Sequence, residues 1–167
     1  GDSFFRDMAS LGLGFSNLGK SNKIVQKMLE QITQRDEHPY VRESSYFGLG
    51  LNDFQNPSPD FDRIANAGLR DPSPITRSGA GLSLGLAHYK DKNLDLEGRL
   101  TEEKDPSVQW GIVLSNGLSQ GNNHVTEAIR NNPYVAWAYE LSKSFGNGNA
   151  QAKPTSFADI NAFQHNI

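Results

Sequence analysis

Cysteine is absent from all 167 residues, and that single absence removes a disulfide framework, cysteine-ligated zinc and thiol catalysis together. Long apolar runs are missing too, since none approaches the roughly 18 residues that a bilayer-spanning helix needs. The N-terminus lacks the basic and apolar regions of a signal peptide, and no Asn-x-Ser/Thr sequon occurs despite many asparagines. These absences predict a cytoplasmic protein with no membrane partner. Basic excess is lacking as well: 16 Lys and Arg face 19 Asp and Glu, a net charge of -3. That balance argues against broad attraction to a phosphate backbone, although it leaves room for a local basic stripe. Of the signatures of catalysis, the chain has no Rossmann fingerprint.

What is present is 36% hydrophobic and 21% charged residues, with 16 glycines and 8 prolines. With a mean hydropathy of -0.59, this describes one well-hydrated globular domain, long enough to bury a continuous core. The glycines and prolines are not scattered. Five segments align without gaps: SFFRDMASLGLGF, PYVRESSYFGLGL, PITRSGAGLSLGL, PSVQWGIVLSNGL and PYVAWAYELSKSF. A small residue anchors each, at Gly14, Gly50, Gly85, Gly117 and Ser144, with spacings of 36, 35, 32 and 27 residues. These are helix-pair repeat lengths.

Eleven positions before each anchor stand Ser3, Pro39, Pro74, Pro106 and Pro133. Proline suits the first turn of a helix, where its missing N–H leaves no bond unmade, so each marks the start of an A helix. Apolar pairs four apart recur along it: Leu11 and Phe15, Phe47 and Leu51, Leu82 and Leu86, Leu114 and Leu118, Leu141 and Phe145. A second recurring pair is mostly small: Met8 and Gly12, Ser44 and Gly48, Gly79 and Ser83, Gly111 and Ser115, Ala138 and Ser142. Glycine inside a helix costs roughly 1 kcal/mol against alanine. Repeating that cost at fixed positions predicts unusually close packing of neighbouring A helices.

Between A helices lie shorter amphipathic stretches, the B helices. In the first, Ile24, Val25, Met28, Leu29 and Ile32 share a face. The later ones gather Phe61, Ile64, Ala65 and Leu69; then Leu94, Leu96 and Leu100; then Val125, Ala128 and Ile129. One helix pair cannot bury its own apolar face, so the pairs must stack. The expected fold is therefore all-α, a right-handed α-α superhelix of about five helix-pair repeats over residues 1–146. Residues 147–155 read as a linker, and 156–167 as a short C-terminal capping helix or tail with Ser156 as its N-cap.

SLGLGF followed by NLGKSNKIVQKMLEQI, and SGAGLSLGLAHYKDKN, resemble proteasome/cyclosome repeats, which occur in large scaffold subunits of the proteasome regulatory particle and the anaphase-promoting complex. The openings DEHPYVR, DPSPITR and DPSVQ are similar to HEAT-type repeats. Both resemblances imply an armadillo-type helix-pair solenoid and a protein-binding scaffold, with no catalytic residue carried over.

Arg6, Arg42 and Arg77 occupy one repeat position, with Asp36, Asp71 and Asp105 in the turns before later A helices. A structural ladder bridging neighbouring units is the expected reading, and an anion site its competitor. Asp7 and Glu43 directly follow two of the arginines and would blunt attraction to phosphate. His38, His88, His124 and His165 lie in different segments and none precedes a glutamate, so no metal or other cofactor site is expected. The pair Glu102 and Glu103 reads as a solvated helix end. Trp110 and Trp137 share a position, and Tyr134 stands at an A-helix start. Most such aromatics are packing residues, but an exposed cluster of Tyr134, Trp110 and Trp137 would form an anchor patch for a partner.

The functional expectation is a non-enzymatic scaffold that presents a curved helical surface to a protein or peptide. The alternatives are a HEAT-like nucleic-acid or anion binder using the arginines, and a relative of the HEAT-like lyases or metal-dependent hydroxylases.

Overall fold

A computed structural model describes residues 2–119 and 132–146, which form eight α-helices and no strand. Five are A helices of 14 residues each: α1 (Ser3–Ser16), α3 (Pro39–Asn52), α5 (Pro74–Ala87), α7 (Pro106–Ser119) and α8 (Pro133–Gly146). Each begins at the serine or proline eleven residues before its anchor. The serine of α1 follows a different cap, Asp2, whose carboxylate accepts the Phe4 N–H at 2.9 Å. The B helices are α2 (Lys23–Arg35), α4 (Phe61–Gly68) and α6 (Glu97–Glu102).

The A helices pack in sequence order, α1 on α3, α3 on α5, α5 on α7 and α7 on α8. Each B helix lies chiefly against the A helix that follows it. The main core forms between these two sets. Nine residues before the anchor, Val41, Thr76, Val108 and Val135 are all at most 1% exposed, and one residue before it so are Leu49 and Leu84. Leu29, Phe61, Ile64 and Leu100 close over them from the B side.

Glycine sets the spacing of the A helices. A Cβ built on Gly14 would lie 2.5 Å from the Cα of Gly48, one on Gly85 2.3 Å from the Cα of Ser115, and one on Gly117 2.3 Å from the Cβ of Ser142. Gly50 meets Ser83 in the same way at 2.8 Å. The anchor of one helix thus rests on the small residue two before the anchor of the next. No side chain larger than hydrogen fits on the first partner unless the backbones separate.

A second device repeats in the loops. Five residues after the anchor, Gly19, Gln55 and Lys90 take positive φ of 67°, 59° and 64°. Their N–H groups donate to the next A helix at the carbonyls of Leu51, Leu86 and Leu118, at 2.9, 3.4 and 2.9 Å. Only Gly19 adopts this conformation without a Cβ penalty. The other two hold it because the bond to the neighbouring helix satisfies a donor that the turn would leave without a partner.

The B helices depart from the sequence pattern in two places. In α2 the buried stripe is Val25, Gln26, Leu29 and Thr33, while Ile24 is 74% and Met28 46% exposed. The apolar face of α2 is wider than the one A helix that covers it. The α6 helix is only six residues long: Leu94 and Leu96 precede it, and the Asp95 carboxylate accepts the Glu97 N–H at 3.0 Å to start it there. The fourth B helix around Val125, Ala128 and Ile129, the linker 147–155 and the terminal segment 156–167 with Ser156 lie outside the described residues. His124 and His165 do so as well.

Candidate functional site

Helical periodicity puts positions 10, 7 and 3 before the anchor on one side of an A helix. On that side the chain places Phe4, Asp7 and Leu11 on α1, Tyr40, Glu43 and Phe47 on α3, and Ile75, Ser78 and Leu82 on α5. On α7 and α8 the same side carries Trp110, Leu114, Trp137 and Leu141. Most of these remain partly or largely open, with Phe4 at 62%, Tyr40 at 57% and Trp137 at 43%. The rings of Trp110 and Trp137 are stacked, with centroids 6.2 Å apart and planes 3° from parallel. That separation lies within the range of offset aromatic pairs. Tyr134 begins α8 at the position equivalent to Phe4 and Tyr40, and its side chain lies outside the described set.

Along this row, four A helices enclose a cleft of about 140 Å³ lined by Leu11, Glu43, Ser44, Phe47, Ser78, Gly79, Leu82 and Trp110. The cleft exists because the repeat changes its side-chain volume there. Position seven carries tryptophan on α7 and α8 but only serine, Ser78, on α5. A Cβ on Gly79 would stand 2.8 Å from the Glu43 backbone oxygen and from its Cγ. The glutamate side chain therefore lies against bare backbone. The Ser44 hydroxyl donates to the Asp7 carboxylate, which joins α3 to α1 beside the cleft. Burial pushes the Glu43 carboxyl up to about 7, and the Asp7 charge adds to the effect.

The arginines form three bidentate ion pairs. Arg6 holds Asp36 at 2.6 and 3.1 Å, Arg42 holds Asp71 at 3.0 and 3.0 Å, and Arg77 holds Glu103 at 2.9 and 3.2 Å. Each carboxylate lies in the turn before the next A helix. The third acid is Glu103 rather than Asp105, whose carboxylate instead accepts the Ser107 N–H and hydroxyl at the start of α7. Arg42 and Arg77 also donate to the carbonyls of Asp36 and Asp71, so each ties two turns together. Where the next repeat carries Gln109, its amide donates to the Glu103 carbonyl at 2.7 Å. Hydrogen bonds from Arg6 hold the Asp36 carboxyl below its usual range. Burial opposes ionisation of Glu103, but the bonds from Arg77 and the Asp105 N–H prevail and lower it too.

His88 is held between Asp62 at 2.7 Å and Asp91 at 3.2 Å, whereas His38 is exposed before Pro39. Among the described residues no group of three or more His, Asp or Glu is placed to hold a metal ion. No described helix is long and apolar enough to cross a membrane. Glu102 lies 3.9 Å from Arg99 and is largely open, while its neighbour Glu103 belongs to the arginine ladder.

Sequence reasoning treated Glu43 as a charge beside an arginine and missed its place in the cleft. The available signal was its column, since Asp7, Glu43, Ser78, Trp110 and Trp137 all stand seven residues before an anchor. Comparison with known proteins adds no family: no family model matches this chain, and no curated protein matches it significantly.

Proposed function

We propose that this chain is a non-enzymatic interaction scaffold, a short right-handed α-α superhelix of about five HEAT- or proteasome/cyclosome-type repeats that binds a polypeptide along its A-helix face. The observation that carries the reading is the row on that face: Trp137 is 43% exposed, stacked on Trp110, and continuous through Trp110 with the apolar cleft. Exposed tryptophans beside a concave apolar surface are typical anchors of protein interfaces. Cytoplasmic residence is part of the proposal and rests on composition. The arginines favour scaffold over nucleic-acid binder, because Arg6, Arg42 and Arg77 already hold carboxylates in two-pronged pairs.

The test is selection of randomised short peptides on the folded protein, compared with a variant carrying Trp110→Ala and Trp137→Ala whose helicity is verified by circular dichroism. Enriched peptides that lose binding in the variant are the expected result. Absence of enrichment, or enrichment indifferent to both tryptophans, would overturn the reading.

A further inference from the structure

The cleft bounded by Leu11, Phe47, Leu82 and Trp110 has a chemical asymmetry that the rest of the A face lacks. Its walls are apolar and aromatic, yet a half-buried carboxylate, Glu43, lines it. The acids of the ladder, by contrast, are matched: Asp36 by Arg6, Asp71 by Arg42 and Glu103 by Arg77. Glu43 has no donor among the described residues. The charged group that faces it is Asp7, of the same sign, from α1. The nearby cations are engaged elsewhere, Arg42 of its own helix with Asp71 and Arg77 of α5 with Glu103, and α7 contributes none to the cleft.

We propose that this cleft takes the basic side chain, arginine above lysine, of the bound polypeptide, with Glu43 as its counter-charge and Trp110 and Phe47 as the walls around its stem. This rests on the interaction-face reading and names the residue type that the face selects. A guanidinium fits for three reasons. It forks onto a carboxylate, it is less strongly hydrated than an ammonium, and its flat faces and methylene stem suit aromatic walls. The cleft volume of about 140 Å³ accommodates one side chain rather than a folded segment. Binding a cation requires the carboxylate form, so below about 7 the ligand must displace the proton on Glu43. Affinity therefore rises with pH through about 7, the value of the unliganded carboxyl.

Two probes test this without a known partner: Nα-acetyl-arginine methylamide, and its citrulline analogue, which has nearly the same shape and no charge. The Glu43 carboxyl is followed by carbon NMR through a pH titration, and the Trp110 indole by its proton resonance, at matched ionic strength. The arginine compound should lower the Glu43 midpoint by about one unit or more, as an opposite charge in contact does, and shift the Trp110 signal. The citrulline compound should do neither. Glu43→Gln removes the charge, keeps the shape, and should abolish the Trp110 response while the protein stays folded. Equal Glu43 midpoints with both probes, or an undiminished Trp110 response in Glu43→Gln, would overturn the proposal. Peptide selection separates the two readings: peptides without a basic residue that bind wild type and Glu43→Gln alike sink the cleft assignment and leave the scaffold standing.

Discussion

Gly12 and Gly48 occupy the same place in consecutive repeats, two residues before the anchor, and their surroundings are opposite. Gly48 is buried, and a Cβ there would lie 2.7 Å from the Ser10 carbonyl of α1. Gly12 is exposed, and a Cβ there would meet nothing within 4 Å among the described residues. The contrast extends along the helix. Phe5 is 70% exposed where Val41, Thr76, Val108 and Val135 are buried, and Met8 is 50% exposed where Ser44, Gly79, Gly111 and Ala138 are buried. The face of α1 that carries Phe5, Met8 and Gly12 is thus the packing face of an A helix with no described helix on it. A glycine in a helix is useful only where something approaches it; elsewhere it carries the conformational cost alone.

The largest test of that contrast is Gly85→Val. Its Cβ would stand 2.3 Å from the Ser115 Cα, and a backbone atom cannot swing aside. Overpacking at a helix contact this close should cost about 3 kcal/mol or more in urea unfolding. A loss near that for an exposed site would mean that α5 and α7 separate easily.

An intermediate effect is expected at Glu43, whose covering by α5 depends on Gly79. Its folded carboxyl titrates at about 7 against 4.5 for an unperturbed glutamate, so between those values the native protein holds a proton that the unfolded chain releases. Stability should then fall as pH rises through that window. Glu43→Gln should gain about 2 kcal/mol over wild type on the alkaline side and lose the advantage on the acid side. Denaturant midpoints for both proteins across pH check this, and parallel curves would contradict it.

The smallest effect belongs to Gly12→Ala. With nothing to strike, the methyl should stabilise α1 by about 0.5–1 kcal/mol. A destabilisation comparable to that of a covered glycine would show that another part of the chain rests on the α1 face.

Much of the described architecture was legible. The five prolines or serines and the small anchors place all five A helices to the residue, because proline at the first turn and glycine at a contact are local requirements with few substitutes. The arginine ladder was legible in part: the periodicity of Arg6, Arg42 and Arg77 predicts inter-repeat pairing, but Glu103 rather than Asp105 completes the third pair. The turn before α7 offers both acids, and only the fold sets which one reaches the guanidinium. The buried stripe on α2 is narrower than its apolar pattern, since Ile24 and Met28 have the right period yet stay 74% and 46% exposed.

The sequence by itself determined that the chain is helical, where its long helices begin, and that they approach closely, because these follow from dihedral preferences and side-chain volume within short stretches. Tertiary structure alone decided which glycines are covered, which apolar residues stay open, and that Glu43 lies in an apolar cleft without a donor among the described residues, the ladder cations being already engaged. Those outcomes depend on what stands across from a residue rather than beside it, and a repeat writes the same small residue into a covered face and an open one.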